Sequence, residues 1–212
     1  MSARGRFIAF EGGEGAGKST QARLLAKALG ERGLEVVLTR EPGGTQGAES
    51  IRGLLLDSAG SGWSPAAEAL LFAAARSDHV ERLIRPALER GAWVVCDRFV
   101  DSTRAYQGGG GGLADADILA LHRIGSGGLL PDLTILLEAA PGEIAARLSR
   151  RDGGESDRIG GREAAFHARV GEAFRSLAAA EPARFVTIDG SGSAAATHEA
   201  ILRTIAPLAQ TP

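Results

Sequence analysis

Gly12-Gly13-Glu14-Gly15-Ala16-Gly17-Lys18-Ser19 is the segment that most restricts what this chain can fold into. It matches the eight-residue phosphate-binding loop pattern, directly after the apolar run Phe7 to Glu11 and before a stretch of helical period that starts near Thr20. Such a loop needs a strand to deliver it and a helix to receive it. Its glycines let successive backbone N–H groups converge on phosphate oxygens, and the helix N-terminus adds partial positive charge. Lys18 would reach the β and γ phosphates, and the Ser19 hydroxyl suits a Mg²⁺ ligand. The lysine is a signal in itself. Of 24 basic residues only Lys18 and Lys27 are lysines, so arginine is the default cation of this chain. A compact ammonium at Lys18 fits a cradle too tight for a guanidinium.

The rest of the chain supplies the scaffold that the loop demands. Residues 7–11, 35–40, 92–97, 133–138 and 184–189 are nearly continuous apolar runs, which predicts five strands covered on both faces. Segments of helical period alternate with them: Leu24, Leu25, Ala28 and Leu29 share a face, as do Phe166, Val170, Phe174 and Leu177. The expected architecture is a three-layer α/β/α sandwich around a five-stranded parallel sheet. Ser64 followed by Pro65 starts a long helix through about Glu89, and Pro207 is expected to end the last helix, which carries Ile201, Leu202 and Ile205. Each strand closes on a charged residue, Glu11, Arg40, Asp97, Glu138 or Asp189. Ligands of open α/β sheets bind beyond the carboxyl ends of the strands, so these ends point toward the site. Glycine-rich stretches at 108–112 and 125–128 read as flexible surface loops, whereas 153–161, loaded with arginine between helical patterns, reads as a lid.

Charge and cysteine content narrow the function classes. A formal net charge of -2 and a pI of about 6.1 remove the basic footprint of a protein whose main partner is nucleic acid. No apolar run approaches the ~18 residues of a membrane span. The first residues lack the apolar stretch of a secretory signal, and Cys96 is the sole cysteine, so the expectation is a cytoplasmic protein with no intramolecular disulfide. Cys96 reads as a buried small hydrophobe, and His79, His122, His167 and His198 are scattered without metal-ligand spacing. The chain has no asparagine, so the guanine-reading Asn-Lys-x-Asp segment of a GTPase cannot exist. A small phosphotransferase is the simplest reading.

Transfer between two phosphorylated molecules brings polyanions together, and unit charges 4 Å apart repel by roughly 4 kcal/mol at an effective dielectric near 20. Cations must surround the site. Arg40 and Arg98 lie at strand ends, and Arg147, Arg150, Arg151 and Arg158 cluster around the lid. Arg158 and Arg162, taken singly, fit a solvated surface. Trp93-Val94-Val95-Cys96-Asp97 delivers a carboxylate that can orient Mg²⁺. An ionised phosphate oxygen is already a nucleophile, so no general base is required, and catalysis reduces to positioning and charge neutralisation.

Further segments select an acceptor: Thr39-Arg40-Glu41-Pro42-Gly43-Gly44, Leu71-Phe72-Ala73-Ala74-Ala75-Arg76, Asp97-Arg98-Phe99 and Ser102-Thr103-Arg104-Ala105-Tyr106-Gln107-Gly108. With the loop from Phe10 to Thr20, they resemble the thymidylate kinase family over almost the entire chain. The resemblance implies one domain, 1–212, of P-loop nucleoside monophosphate kinase type with a mobile lid at about 147–161. It implies transfer of the γ-phosphoryl group of ATP to dTMP with Mg²⁺, giving dTDP for dTTP synthesis, in a cytoplasmic homodimer packed through helices. Residues 12–20 and Arg147 would hold ATP, with Arg147 near adenine, and Ser19, Asp97 and Glu14 would face the metal. Phe72 would stack on thymine and Arg76 would hydrogen-bond a thymine carbonyl. Thr103 and Gln107 would complete recognition of the base edge, Tyr106 would pack by the deoxyribose, and Glu14 would approach the 3'-hydroxyl or the metal. Arg98 and Arg52 would hold the acceptor phosphate, with Glu41 and Pro42 shaping that pocket. The loop offers Glu14-Gly15 and no arginine, so the chain resembles the bacterial type whose catalytic arginine lies in the lid, here Arg150 or Arg151 beside Lys18 and Arg98. Gly111 departs from relatives that carry a basic residue there. Two alternatives stay open: a P-loop kinase for another nucleoside monophosphate or small acceptor, and a nucleotide-dependent binding switch that performs no transfer.

Overall fold

Five parallel strands, in the order β2-β3-β1-β4-β5, run through the middle of the molecule. They are β1 (Phe7–Glu11), β2 (Val36–Arg40), β3 (Trp93–Asp97), β4 (Leu133–Glu138) and β5 (Phe185–Asp189), each within a residue of its sequence expectation. The structure is a computed structural model that describes residues 4–57, 62–140, 142–144, 147 and 158–209. Among them lie helices α1 (Lys18–Glu31), α2 (Gln46–Leu56), α3 (Pro65–His79), α4 (Arg85–Glu89), α5 (Val100–Thr103), α6 (Asp115–Ser126), α7 (Ala164–Ala180) and α8 (Ala194–Ala209).

Alternation along β1 builds the three layers. Ile8 and Phe10 pack with Leu25 and Leu29 of α1 and with Ile201 and Ile205 of α8. Phe7 and Ala9 point the other way, toward Val80, Ile84 and Phe99. With both faces covered, β1, β3 and β4 read as nearly unbroken apolar runs, and the polar side chains buried in them, Glu11 and Thr134, are hydrogen-bonded. Phe10 is in register with Asp97, so the carboxyl ends of β1 and β3 lie side by side. From these two strands the chain leaves in opposite directions, to β2 on one side and β4 on the other, which opens a crevice there.

The predicted long helix runs unbroken from Pro65 to Glu89. The Ser64 hydroxyl caps it by accepting from the Ala67 N–H at 3.3 Å. It widens to a π-turn over Val80–Ile84, where the Arg85 N–H reaches back to the Val80 carbonyl. Pro86 explains the widening: it has no N–H, and its ring crowds the carbonyl one turn earlier. Two expectations need correction. Pro207 does not end the last helix, which continues to Ala209. A proline that late forfeits a single N–H bond, while Ile201 and Ile205 hold the helix to the sheet. The glycines at 108–110 are not a surface loop either: Arg104–Gly110 is a π-helical segment packed on α7. A Cβ on Gly110 would lie 2.5 Å from Phe166 Cε2 and one on Gly109 2.3 Å from Ala173 Cβ, so absent side chains let the two helices touch. Residues 125–128 are likewise the end of α6, closed by Gly127 at φ 64. Of the third glycine-rich stretch, 153–157 lies outside the described residues. Among the described residues no helix is long and apolar enough to cross a membrane.

Candidate active site

A cavity of about 700 Å³ opens beyond the carboxyl ends of β1, β2 and β3. Its phosphate end is the Gly12–Ser19 loop. Gly12, at φ 135, passes so close to β4 that a Cβ would sit 2.3 Å from the Leu137 carbonyl oxygen. Lys18 starts α1, is buried, and donates to the Gly13 carbonyl at 2.6 Å. Burial, and next the Arg98 charge, lower its pKa from 10.5 to about 8. Ser19 Oγ donates to Asp97 Oδ2. Hydroxyl and carboxylate oxygens thus stand together as the hard oxygen donors that Mg²⁺ takes, and the pair fits that ion.

Arg98 joins this end to the acceptor end. It is the one described residue other than glycine with a positive φ, 71. Strain of this kind persists only where surroundings over-determine it, and here they do. The Arg98 N–H donates to the Phe10 carbonyl at 2.9 Å. Its guanidinium donates to the Gly12 carbonyl at 3.2 Å, Ser102 Oγ at 3.1 Å, Glu14 Oε1 at 2.6 Å and the Tyr106 hydroxyl at 3.2 Å. Beneath it Glu11, fully buried, accepts from the N–H groups of Phe99 at 2.8 Å and Ser102 at 3.1 Å and from Ser102 Oγ at 2.5 Å. Burial, with the Asp101 charge behind it, raises the Glu11 carboxyl to about 7. Burial also pushes the Tyr106 hydroxyl up to about 12, so it stays protonated. Cys96 is buried beside this turn, and its Sγ donates to the Arg98 carbonyl at 3.0 Å.

The far end of the cavity is made by side chains. Arg76, 3 % exposed, donates from Nε to Glu41 Oε2 at 2.7 Å and from Nη2 to Thr103 Oγ1 at 2.9 Å. His79 closes the other side of Glu41: its Nδ1 lies 3.0 Å from Oε1, and its Nε2 lies 2.7 Å from Thr39 Oγ1. Carboxylate oxygens only accept, so Nδ1 carries the proton. Phe72 lies half-buried one turn before Arg76, on the same helix face, and both line the cavity. Arg52 reaches the Pro42 carbonyl at 2.8 Å. Gln107 Nε2 donates to Glu68 Oε2 at 3.1 Å.

The structure therefore brings Glu14, Glu41, Pro42, Arg52 and Phe72 together with Arg76, Arg98, Thr103, Tyr106 and Gln107 around one space. Arg147 borders the phosphate end, donating to the Gly190 carbonyl at 2.6 Å and to Glu143 at 3.0 Å. Arg150 and Arg151 lie outside the described residues. The solvated reading of Arg158 and Arg162 is corrected. Arg162 donates to Glu68, Arg158 lies 3.7 Å from the same oxygen, and Glu68 itself is 1 % exposed. A buried carboxylate draws them in, since it must be neutralised. Sequence reasoning missed Glu68 altogether, weighed His79 only as a metal ligand, and saw Glu11 only as a strand end. For Glu68 a signal was available, because it stands one turn before Phe72 and two turns before Arg76 on one face of the helix.

A phosphate cradle and a pocket walled by an aromatic ring share one cavity on this sheet, and together they define a P-loop kinase of the nucleoside monophosphate type. A model of the thymidylate kinase family matches residues 10–201. The chain belongs to the thymidylate kinase family. It is 56% identical over 204 residues to thymidylate kinase of Rhizorhabdus wittichii, covering 96% of this chain and 98% of the other. Thymidylate kinase of a Bradyrhizobium species is 50% identical over 200 residues, 93% of this chain and 88% of that one. The crystal structure of thymidylate kinase from Ehrlichia chaffeensis matches with a TM-score of 0.78 at 33% identity, covering 95% of this chain and 99% of that chain.

Proposed function

We propose that this chain transfers the γ-phosphoryl group of ATP to dTMP, yielding ADP and dTDP. The observation that carries the reading is that Phe72, Arg76 and Arg98 line the same cavity as Lys18 and Ser19. ATP lies with its phosphates on residues 12–20 and its base toward Arg147. Thymine stacks on Phe72, offers a carbonyl to Arg76, and meets Thr103 and Gln107 along its edge. Tyr106 packs by the deoxyribose, and Glu14 lies near the 3'-hydroxyl. Arg98 and Arg52 hold the acceptor phosphate beside a pocket shaped by Glu41 and Pro42. Lys18 and Arg98, with Arg150 or Arg151 from a lid at about 147–161, neutralise the charge that builds between the two phosphates. Ser19, Asp97 and Glu14 would hold Mg²⁺, which when bound supplies further neutralisation of phosphate charge. The nucleotide substrates support a cytoplasmic setting. The exposed Leu54, Leu70 and Ile124 of α2, α3 and α6 support pairing of two copies through these helices.

A coupled assay of ADP formation across dTMP, dUMP, dCMP, AMP and UMP tests the reading. ADP should appear only with an acceptor, fastest with dTMP, and Lys18→Ala should abolish it. Faster turnover of AMP, dCMP or UMP would assign the chain another acceptor, and acceptor-independent nucleotide binding with no transfer would make it a switch.

A further inference from the structure

Glu68 is a buried carboxylate that touches no reacting group, yet it holds one of the side chains facing the acceptor base. It lies on α3 one turn before Phe72. Its Oε2 accepts from Gln107 Nε2 at 3.1 Å, and its Oε1 accepts from Arg162, with Arg158 at 3.7 Å. Two guanidiniums flank the carboxylate at 1 % exposure, and carboxylate oxygens accept. The Gln107 amide must therefore turn its nitrogen to Glu68, which leaves its oxygen as the acceptor it offers the cavity it lines. Thymine and uracil carry a proton on N3 and can donate to that oxygen. Cytosine carries a lone pair on N3 and cannot.

We propose that Glu68 is a positioning residue for acceptor selectivity: it locks the Gln107 amide oxygen-inward, so that the pocket rejects cytosine at N3, and it anchors that lock to Arg158 and Arg162. The inference rests on dTMP being the acceptor. It adds to the Arg76 contact, which reads the 4-position, a second and separate barrier at the ring nitrogen.

The test compares kcat/KM for dTMP, dUMP and dCMP, with ATP saturating, in the full-length wild type, Glu68→Gln, Gln107→Ala and the double variant. A glutamine at 68 can give or accept a proton, so Gln107 is free to flip. The dTMP to dCMP ratio should then fall about tenfold, the size of one discriminating hydrogen bond, while the dTMP to dUMP ratio holds. In the Gln107→Ala background the second change should alter neither ratio further, because Glu68 acts through Gln107. A loss of stability alone would lower activity toward all three acceptors and leave their ratios in place. An unchanged dTMP to dCMP ratio in Glu68→Gln, or a further drop in the double variant, would overturn the proposal. A wild type that prefers dCMP would instead overturn the function itself. The lock is also visible without any substitution. In wild-type protein labelled with ¹⁵N-glutamine and saturated with dTMP, one Gln107 side-chain amide proton should exchange slowly with water, and fast exchange of both would contradict the lock.

Discussion

The two ends of the cavity are built from different material. At the phosphate end the chain itself forms the surface: the backbone of the Gly12–Ser19 loop, a helix N-terminus, and an arginine at positive φ. At the base end the surface is a chain of buried polar side chains, Thr39 to His79 to Glu41 to Arg76 to Thr103. The first kind of site works through charge placed where phosphate charge will be. The second also holds the protein together, because every charge in it is removed from water and depends on its neighbour.

This contrast can be broken by substitution. Arg98→Ala should cut kcat by about 10²- to 10³-fold, the usual cost of one charge-stabilising donor. Its partner Glu14 keeps 27% of its side chain exposed and can be rehydrated, so the melting temperature should hardly move. Arg76→Ala should behave the other way. Glu41 would be left buried without its main partner, so urea titration should show about 3 kcal/mol of lost stability, with KM for dTMP rising more than kcat falls. If Arg76→Ala proved as stable as wild type, the base end would be as independent of the fold as the phosphate end.

The smallest effect is one of pH. Lys18 in the free protein loses its proton near 8 instead of 10.5, and the loop needs an ammonium to receive phosphate. The kcat/KM for ATP should therefore decline as pH rises through about 8, by about tenfold per unit beyond it. Bound phosphates hold the proton on Lys18, so kcat/KM for dTMP at saturating ATP should lack this limb. A shared limb would mean that the two ends titrate as one.

The same contrast decides what could be read from the sequence. The phosphate end is largely contiguous: strand, loop and helix N-terminus follow one another within residues 7–20, so Lys18 and Ser19 were legible from pattern, and Asp97 from the end of its own apolar strand. Strand limits were legible too, since burial on both faces writes itself as an apolar run. Single glycines and prolines were not. Gly109 and Gly110 resemble any flexible stretch until α7, more than fifty residues later, is seen lying against them. Pro207 is a helix breaker by propensity, overruled by two isoleucines pinned to the sheet. Glu68 and His79 lie in an ordinary helical pattern, and their partners Gln107, Arg162, Glu41 and Thr39 come from other elements. Family resemblance reached residues that line the cavity and stopped before the ones behind them.

Glycine at position 98 would occupy the left-handed backbone well without crowding, and alanine there would not. Of two inactive versions of the protein, the one with less side chain is thus the sturdier, by about 1 kcal/mol. The arginine stays on a torsion made for glycine because Gly12, Ser102, Glu14 and Tyr106 hold its guanidinium.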